Sequence, residues 1–382
     1  MTLDGLPVIT ASEMRHIEEA AYALGESDEQ FMENAGAGIA LLLEKELITP
    51  RTSHEICLLI GKGNNGGDAF VAGAHLLEKG FKVTAYQLTP LDQCSPLSQK
   101  MGERFKKAGG ICQLFQETTR LPEKGVIVDG LLGTGFKGKV EGEMAHLITL
   151  ANEAECPIYA IDIPSGLNGD TGETEGAVIK ADTTFFLGLP KFGFFQGQGW
   201  EYVGELKLVD FGLPSALIEK LQPTAHLISE EGAKKWLPKI KRTRHKYEAG
   251  YVVALAGQPG MPGAAILSCL AALRAGAGIV RLFHREGTDL SSAPYELIRE
   301  VLDFSDLSPL FEELTRAKAL LIGPGMGRDK LAGEALHTLL TQCKVPVVID
   351  ADALFNLKSD DLPTNAILTP HSGEMKRLLN EI

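Results

Sequence analysis

The sequence predicts an α/β protein of two domains, each a parallel β-sheet enclosed between layers of helices. Three observations favour this fold class. The chain has 382 residues, which is too long for one ordinary compact core. Short apolar segments alternate with amphipathic helical segments along most of its length. Most of the short segments are apolar at every position, which is typical of parallel strands covered on both faces.

The first domain opens with two helices and continues as a strand–helix alternation. The spacing of apolar residues predicts helices at about 11–24 and 28–47, the first capped by Thr10 or Ser12. The strands predicted after them are 56–60, 82–88, 126–132, 158–163, 183–187 and 206–209. This order predicts a Rossmann-like three-layer αβα sandwich over residues 1–221.

Residues 222–250 are polar, basic and poorly periodic, and are interpreted as a linker. A second alternation follows and predicts a second α/β domain over residues 251–382. Its predicted elements are a strand at 251–256, a helix at about 264–275, and strands at 278–283, 319–322, 346–349 and 366–369.

Composition excludes several classes of function. The net charge of −13 and pI near 5.3 repel a phosphate backbone, and the short basic run at Lys239, Lys241, Arg242 and Arg244 is typical of a solvated linker. The six cysteines have neither zinc-site nor disulfide-framework spacing. The sequence shows no signal peptide and no apolar run of membrane-spanning length. We therefore expect a cytoplasmic protein that binds neither nucleic acid nor membranes.

Three polar segments each follow a predicted strand of the first domain. The first, residues 61–68, reads GKGNNGGD and precedes a helix, a position that favours phosphate groups. The second, 128–139, reads VDGLLGTGFKGK; Val140 replaces the hydroxyl residue of a P-loop, so a P-loop ATPase is rejected. The third, 161–170, reads IDIPSGLNGD.

Each segment alone has a simpler interpretation. The first is compatible with a glycine-rich turn with Asx capping, and Asp162 in the third with a turn or helix cap. Because the carboxyl ends of parallel strands meet at one edge of a sheet, we expect the three segments to converge.

The segments MENAG at 32–36, GNNGGD, VDGLLGTG and DIPSGLNGDTG occur in an order and spacing that closely resemble those of NAD(P)H-hydrate epimerases. The resemblance covers residues 8–220. It implies that the substrate is NADHX or NADPHX, the hydrated dinucleotide with a hydroxyl at C6 of the nicotinamide ring, and that Asp162 acts at the reacting carbon.

The resemblance also implies binding residues. Asn65, Asp129 and Ser165 would coordinate a potassium ion, and oxygen-only ligands suit a hard cation. The residues that would contact the dinucleotide are Asn64, Asn65, Gly66, Gly67, Asp68, Gly133, Thr134, Gly135, Phe136, Lys137, Gly138, Lys139 and Asp162. We also expect the protein to form a homo-oligomer.

The second domain resembles the ADP- or ATP-dependent NAD(P)H-hydrate dehydratases, which have a ribokinase-like fold. The resemblance rests on PGAA at 262–265, GPGMG at 323–327, DADAL at 350–354 and TPHSGE at 369–374. It implies that Ala264, Gly325 and His371 contact the hydrated nucleotide and that ADP or ATP is the cofactor. Taken alone, His371 is more typical of a structural histidine.

The family's Gly-Gly-Thr-Gly-Asp loop, which supplies the dehydratase Asp and an anion site, does not occur in the 382 residues. The expectation is a partial ribokinase-like domain, either a fragment or one without catalysis, unless a separate chain supplies the loop. A different alternative is a non-catalytic binding or scaffold protein with the epimerase fold.

Overall fold

The computed structural model describes residues 4–47, 55–358 and 362–381. The chain divides into two compact units, Met1–Leu237 and Pro238–Ile382. In the described part of the chain, no helix is long and apolar enough to cross a bilayer.

The first unit contains a parallel sheet of seven strands within the described residues, in the spatial order β4-β3-β2-β5-β6-β7-β8. The chain starts in the middle of this sheet, moves to one edge, and returns to build the other side. The strands are β2 (Glu55–Ile60), β3 (Lys82–Gln87), β4 (Ile111–Leu114), β5 (Val126–Gly130), β6 (Ile158–Ile161), β7 (Thr183–Leu187) and β8 (Glu205–Val209).

Helices cover both faces of this sheet, which confirms the predicted three-layer sandwich. The helices are α1 (Ala11–Ala23), α2 (Asp28–Leu47), α3 (Asn64–Glu78), α4 (Pro96–Lys107), α5 (Gly142–Glu153), α6 (Gly199–Tyr202), α7 (Ser215–Ile218) and α8 (Glu230–Trp236). Successive β2 residues point to opposite faces: Leu58 packs in the core with α2, α3 and α4, and Leu59 in the core with α5. Burial on both faces is why these strands are apolar throughout.

The structure departs from the predicted elements at two edge strands, Ile111–Leu114 and Ile298–Val301, at two strand ends, and in the predicted linker. Strand β4 was not predicted, because it is a four-residue edge strand with mostly exposed side chains and no apolar periodicity. The strands predicted to reach residues 132 and 163 end at Gly130 and Ile161, since the chain turns there into the polar loops.

The first half of the predicted linker also contains regular structure. Strand β9 (Ala225–His226) pairs antiparallel with β1 (Pro7–Val8), and α8 follows it. The pairing satisfies backbone groups near the amino terminus, a long-range contact that local polarity does not reveal.

The second unit contains a parallel sheet of six strands in the described residues, in the order β12-β11-β10-β13-β14-β15. One face packs against α9, and the other against α10, α11 and α12, which confirms the predicted α/β class. The elements are β10 (Tyr251–Leu255), α9 (Pro262–Arg274), β11 (Ile279–His284), β12 (Ile298–Val301), α10 (Ser308–Leu314), β13 (Ala319–Ile322), α11 (Lys330–Gln342), β14 (Val347–Ile349), α12 (Asp352–Asn356), β15 (Ala366–Leu368) and α13 (Ser372–Glu381).

Candidate active site

The strand order of the first unit creates a crevice between β2 and β5. The chain leaves β2 toward β3 on one side, whereas β5 leads to β6 on the other, so the loops after the two strands diverge. Ligands of open parallel sheets bind at such a switch point, outside the carboxyl ends of the strands. The loops 61–63 and 131–136 flank this crevice, and Asp162 lies one strand further along, after β6.

A cavity of about 700 Å³ lies at this edge of the sheet. Its walls come from all three polar segments, as the sequence predicted, together with α1 and the start of α2. The lining includes Asn64, Asn65, Asp68, Gly133, Thr134, Gly135, Phe136 and Asp162. The volume is within the range of cofactor pockets.

Asp162 is held by two donors. Its Oδ1 accepts from the ammonium group of Lys191 at 3.0 Å, and its Oδ2 from the backbone N–H of Thr134 at 3.2 Å. The backbone at Asp162 has φ 65°, a left-handed conformation that Asp and Asn adopt more readily than most residues. This turn aims the carboxylate at the loop after β5.

Lys191 follows β7, the strand next to β6, and its side chain is fully buried. Besides Asp162, its ammonium group donates to the carbonyl of Leu187 at 3.2 Å. A buried charge requires such partners, and the ion pair holds the Asp162 carboxylate in position. Lys191 was not predicted as a site residue, although a single lysine within the apolar run 185–195 was a detectable signal.

The three residues predicted to bind potassium are brought together below the cavity. Asp129 Oδ1 accepts from the hydroxyl of Ser165 at 2.6 Å, and the Nδ2 of Asn65 donates to the carbonyl of Leu132 at 2.8 Å. The Ser165 hydroxyl also approaches that carbonyl, at 3.4 Å. The Oδ1 of Asn65 is buried and has no hydrogen-bond partner. Burial raises the pKa of Asp129 to about 6, partly opposed by the hydrogen bonds from Ser165.

Three further carboxyl groups, those of Glu18, Asp28 and Asp68, line the cavity. Burial raises the pKa of Asp68 well above its usual value, with the charges of Asp162 and Glu18 adding to the effect. Burial, and then the charge of Asp162, raise the pKa of Glu18 to about 7. Glu18 was not identified from the sequence, since a glutamate on an amphipathic helix gives no distinguishing signal.

Not every residue predicted to bind the dinucleotide lines the cavity. Gly66 and Gly67 lie in the first turn of α3, where a Cβ would come within 2.3 Å of the Gly61 carbonyl oxygen and 2.6 Å of a Met32 methyl group. Their absence of a side chain lets α3 pack closely against its neighbours. Lys137, Gly138 and Lys139 lie beyond the lining, and Lys139 is paired with Glu141 at 2.6 Å on the surface.

In the second unit, the loops after β10 and β13 meet at the corresponding switch point. Ala264 lies in the first turn of α9, and Gly325 adopts φ 63°, where a Cβ would come within 2.7 Å of the Met261 carbonyl oxygen. The structure thus places these two residues at neighbouring loops. His371 follows β15, two strands away from β13, and its Nδ1 accepts from the N–H of Gly373 at 3.1 Å.

Comparison with known families assigns each half of the chain. Residues 28–193 match the family model described as YjeF-related protein N-terminus. Residues 252–382 match the model described as NAD(P)H-hydrate dehydratase.

Relatives of similar organisation match nearly the full chain. A bifunctional NAD(P)H-hydrate repair enzyme of Moorella thermoacetica is 33% identical, over 97% of this chain and 74% of the relative. A bifunctional NAD(P)H-hydrate repair enzyme of Coxiella burnetii is 35% identical, over 96% of this chain and 74% of the relative. Among solved structures, an ADP/ATP-dependent NAD(P)H-hydrate dehydratase from Bacillus subtilis is 29% identical, over 40% of this chain and 57% of that one, with a TM-score of 0.33. The chain therefore belongs to the family of bifunctional NAD(P)H-hydrate repair enzymes.

Proposed function

We propose that the first unit interconverts the two C6 epimers of NADHX and NADPHX, and that the second unit contributes to ADP- or ATP-dependent dehydration of the hydrate to NAD(P)H. One observation carries the epimerase assignment: a buried carboxylate, Asp162, reaches the cavity where the glycine-rich loops after β2 and β5 meet. The loop amides and the start of α3 suit the phosphates of a dinucleotide.

The chemistry at C6 needs proton transfer and no redox group. The lone pair of the adjacent ring nitrogen expels the hydroxyl when a carboxyl group protonates it, and water then adds to the opposite face. Asp162 is the group assigned to the reacting oxygen, since a positioned carboxyl is an effective general acid or base. A buried ion pair and a residue with positive φ both lower the stability of the fold. The Asp162–Lys191 pair therefore favours a catalytic role over that of a scaffold protein.

Mixing enzymatically prepared hydrate with the purified chain tests this assignment. Chiral chromatography should show a sample enriched in one epimer relaxing to the equilibrium mixture faster than the same sample without protein. Relaxation at the uncatalysed rate would contradict the assignment, provided that the hydrate binds.

The cluster of Asn65, Asp129 and Ser165 fits a potassium ion. It offers an amide, a carboxylate and a hydroxyl oxygen, and the unpartnered Asn65 Oδ1 is the kind of buried atom that a cation would satisfy. In the described residues, no group of three or more His, Cys, Asp or Glu side chains is arranged to hold a metal. A bound ion would hold the loops after β5 and β6 in place, below the cavity.

We expect potassium chloride to raise the melting temperature of the first unit above its value in choline chloride at equal ionic strength. The ion binds the folded state and not the unfolded chain, so at 100-fold excess over its Kd it adds about 2.7 kcal/mol. The Asp129→Asn variant should lose this difference. A crystal grown in thallium(I) salt with no anomalous peak at the cluster would contradict the site.

For the dehydratase half, Ala264, Gly325 and His371 remain the proposed contacts of the hydrated nucleotide. The relatives that this chain matches are about a third longer, and the chain spans 74% of two of them. The polypeptide of these 382 residues has no Gly-Gly-Thr-Gly-Asp sequence.

We expect this polypeptide alone not to dehydrate the hydrate when given ADP or ATP. The loop's Asp would take the proton whose loss re-forms the ring double bond, a contribution of roughly 10²- to 10⁴-fold, and its amides would bind the nucleotide phosphates. The measurement is the recovery of the reduced-nicotinamide absorbance at about 340 nm. Recovery that depends on the nucleotide and exceeds the protein-free control would contradict the expectation.

A further inference from the structure

Helix α1 forms one wall of the epimerase cavity, although it precedes residue 28, where the family match begins. One stripe of the helix lines the cavity at helical spacing: Ala11, Met14, Arg15, Glu18 and Tyr22. The adjacent stripe is buried in the core.

The third polar segment fixes this helix in place. The N–H of Ala11, in the first turn, donates to the Oδ1 of Asp170 at 2.6 Å. Thr10 and Glu13 form a reciprocal capping box at the same end. The loop after β6 therefore positions both Asp162 and the helix that carries Glu18.

The carboxyl group of Glu18 makes no hydrogen bond or ion pair within the part of the chain that the structure describes, yet it is half-buried at the cavity wall. An unpaired carboxyl in such a place is unfavourable unless it is protonated or meets a ligand. Nothing in the packing of α1 requires it, since the buried side of the helix consists of Ala11, Met14, Ile17 and Ala21.

Inversion at C6 by loss and return of water requires proton transfer on two faces of the ring. The departing hydroxyl receives a proton on one face, and the incoming water gives up a proton on the other. A single carboxylate that is anchored, as Asp162 is by Lys191 and Thr134, reaches one face only.

We propose that Glu18 is the second catalytic group of this site, transferring a proton on the ring face opposite to Asp162. The inference rests on the proposed epimerase function. In one direction, protonated Glu18 gives its proton to the C6 oxygen, the C–O bond breaks, and the ring nitrogen's lone pair forms the C=N⁺ bond. Water then attacks C6 from the other face as its proton passes to the Asp162 carboxylate. The reverse direction starts from the state that results, in which Asp162 carries the proton and Glu18 is ionised. Exchange with solvent returns a proton to Glu18 before the next turnover in the same direction.

The electrostatics of the cavity wall favour the protonated form of Glu18. Burial, and then the charge of Asp162, raise the pKa of Glu18 to about 7, and the charge of Lys191 opposes them. The reaction needs the proton that Glu18 carries, so turnover should fall as the pH rises above about 7. The titratable and charged groups that interact with Glu18 are Arg15, Glu19, Tyr22, Asp68, Asp162 and Lys191.

Two other carboxyl groups line the cavity, those of Asp28 and Asp68, and Asp28 is exposed to solvent. Asp68 is more deeply buried than Glu18, and burial raises its pKa well above the usual range, with the charges of Asp162 and Glu18 adding to the effect. Because burial disfavours the charged form of its carboxyl, Asp68 suits a hydrogen-bond donor to the ligand better than a base.

The test compares Glu18→Gln with Glu19→Gln, the exposed neighbour on the same helix, and with Asp68→Asn. We expect kcat of Glu18→Gln to fall by about 10²-fold or more in both directions, with KM changed little. The decline in turnover above neutral pH should disappear in this variant, whereas Glu19→Gln should retain wild-type turnover and the same decline, moved slightly to lower pH because the charge of Glu19 raises the pKa of Glu18. Asp68→Asn should keep that decline.

Water labelling checks the premise. In H₂¹⁸O, each wild-type turnover should place ¹⁸O at C6, and retention of the original oxygen would overturn the role of Glu18. Wild-type turnover and an unchanged pH profile in Glu18→Gln would also overturn it while leaving the epimerase assignment intact. A wild-type protein without epimerase activity would instead remove the proposed function, and this inference with it.

Discussion

Replacing Asp162 by Asn is expected to lower the epimerisation rate by about 10²-fold or more while hydrate binding stays measurable. The amide cannot exchange a proton at the C6 oxygen. It preserves the shape of the side chain and can still accept from the Thr134 N–H. Asn also tolerates the left-handed backbone at this position, where φ is 65°, so the variant should fold.

The measurement is the relaxation of one epimer, followed by chiral chromatography, together with calorimetric titration of NADPHX. Loss of turnover with retained binding supports the role of Asp162 in the chemical step. Near-native turnover in Asp162→Asn would remove Asp162 from the mechanism. Asp210→Asn is a suitable control, because that carboxylate accepts from the nearby N–H of Gly212 in an exposed turn.

Replacing Lys191 by Met is expected to affect both stability and activity. The change leaves the Asp162 carboxylate without its cation in a site where Lys191 is fully buried. Removing one partner of a buried ion pair costs about 3–5 kcal/mol of unfolding free energy, because the remaining charge is uncompensated. Turnover should fall as well, since the carboxylate loses the group that orients it.

Urea unfolding, monitored by tryptophan fluorescence, measures the free energy of unfolding of the first unit, because both tryptophans, Trp200 and Trp236, lie in that unit. The control is Lys100→Met, which breaks the exposed pair with Glu29 and should cost less than about 1 kcal/mol. The double variant with Asp162→Asn should be more stable than the sum of the single changes implies. Strict additivity would show that the two side chains do not interact energetically.

Much of the fold was predictable because the two sheets are parallel and covered on both faces. Strands such as Ile158–Ile161 and Ala319–Ile322 are short apolar runs with little ambiguity in position. Prediction failed at the sheet edges, at Ile111–Leu114 and Ile298–Val301, where the strands are partly exposed and their pairing depends on a distant neighbour.

The sequence by itself determined the class of the site. The polar segments at the ends of β2, β5 and β6 had to meet at one edge of a parallel sheet, and the structure places Asn65, Gly133 and Asp162 around one cavity there. A resemblance carried by several ordered motifs already pointed to the family that the comparisons confirm.

Only the tertiary structure decided which residues complete that site. Lys191 reaches Asp162 because β7 lies beside β6, and Glu18 reaches the cavity because Asp170 fixes the start of α1 across 159 positions of the sequence. The shift in the pKa of Glu18 has the same origin. Desolvation and charge–charge interactions depend on which groups surround a carboxyl in space, and the two largest charge effects on Glu18 come from Asp162 and Lys191, which are distant in sequence.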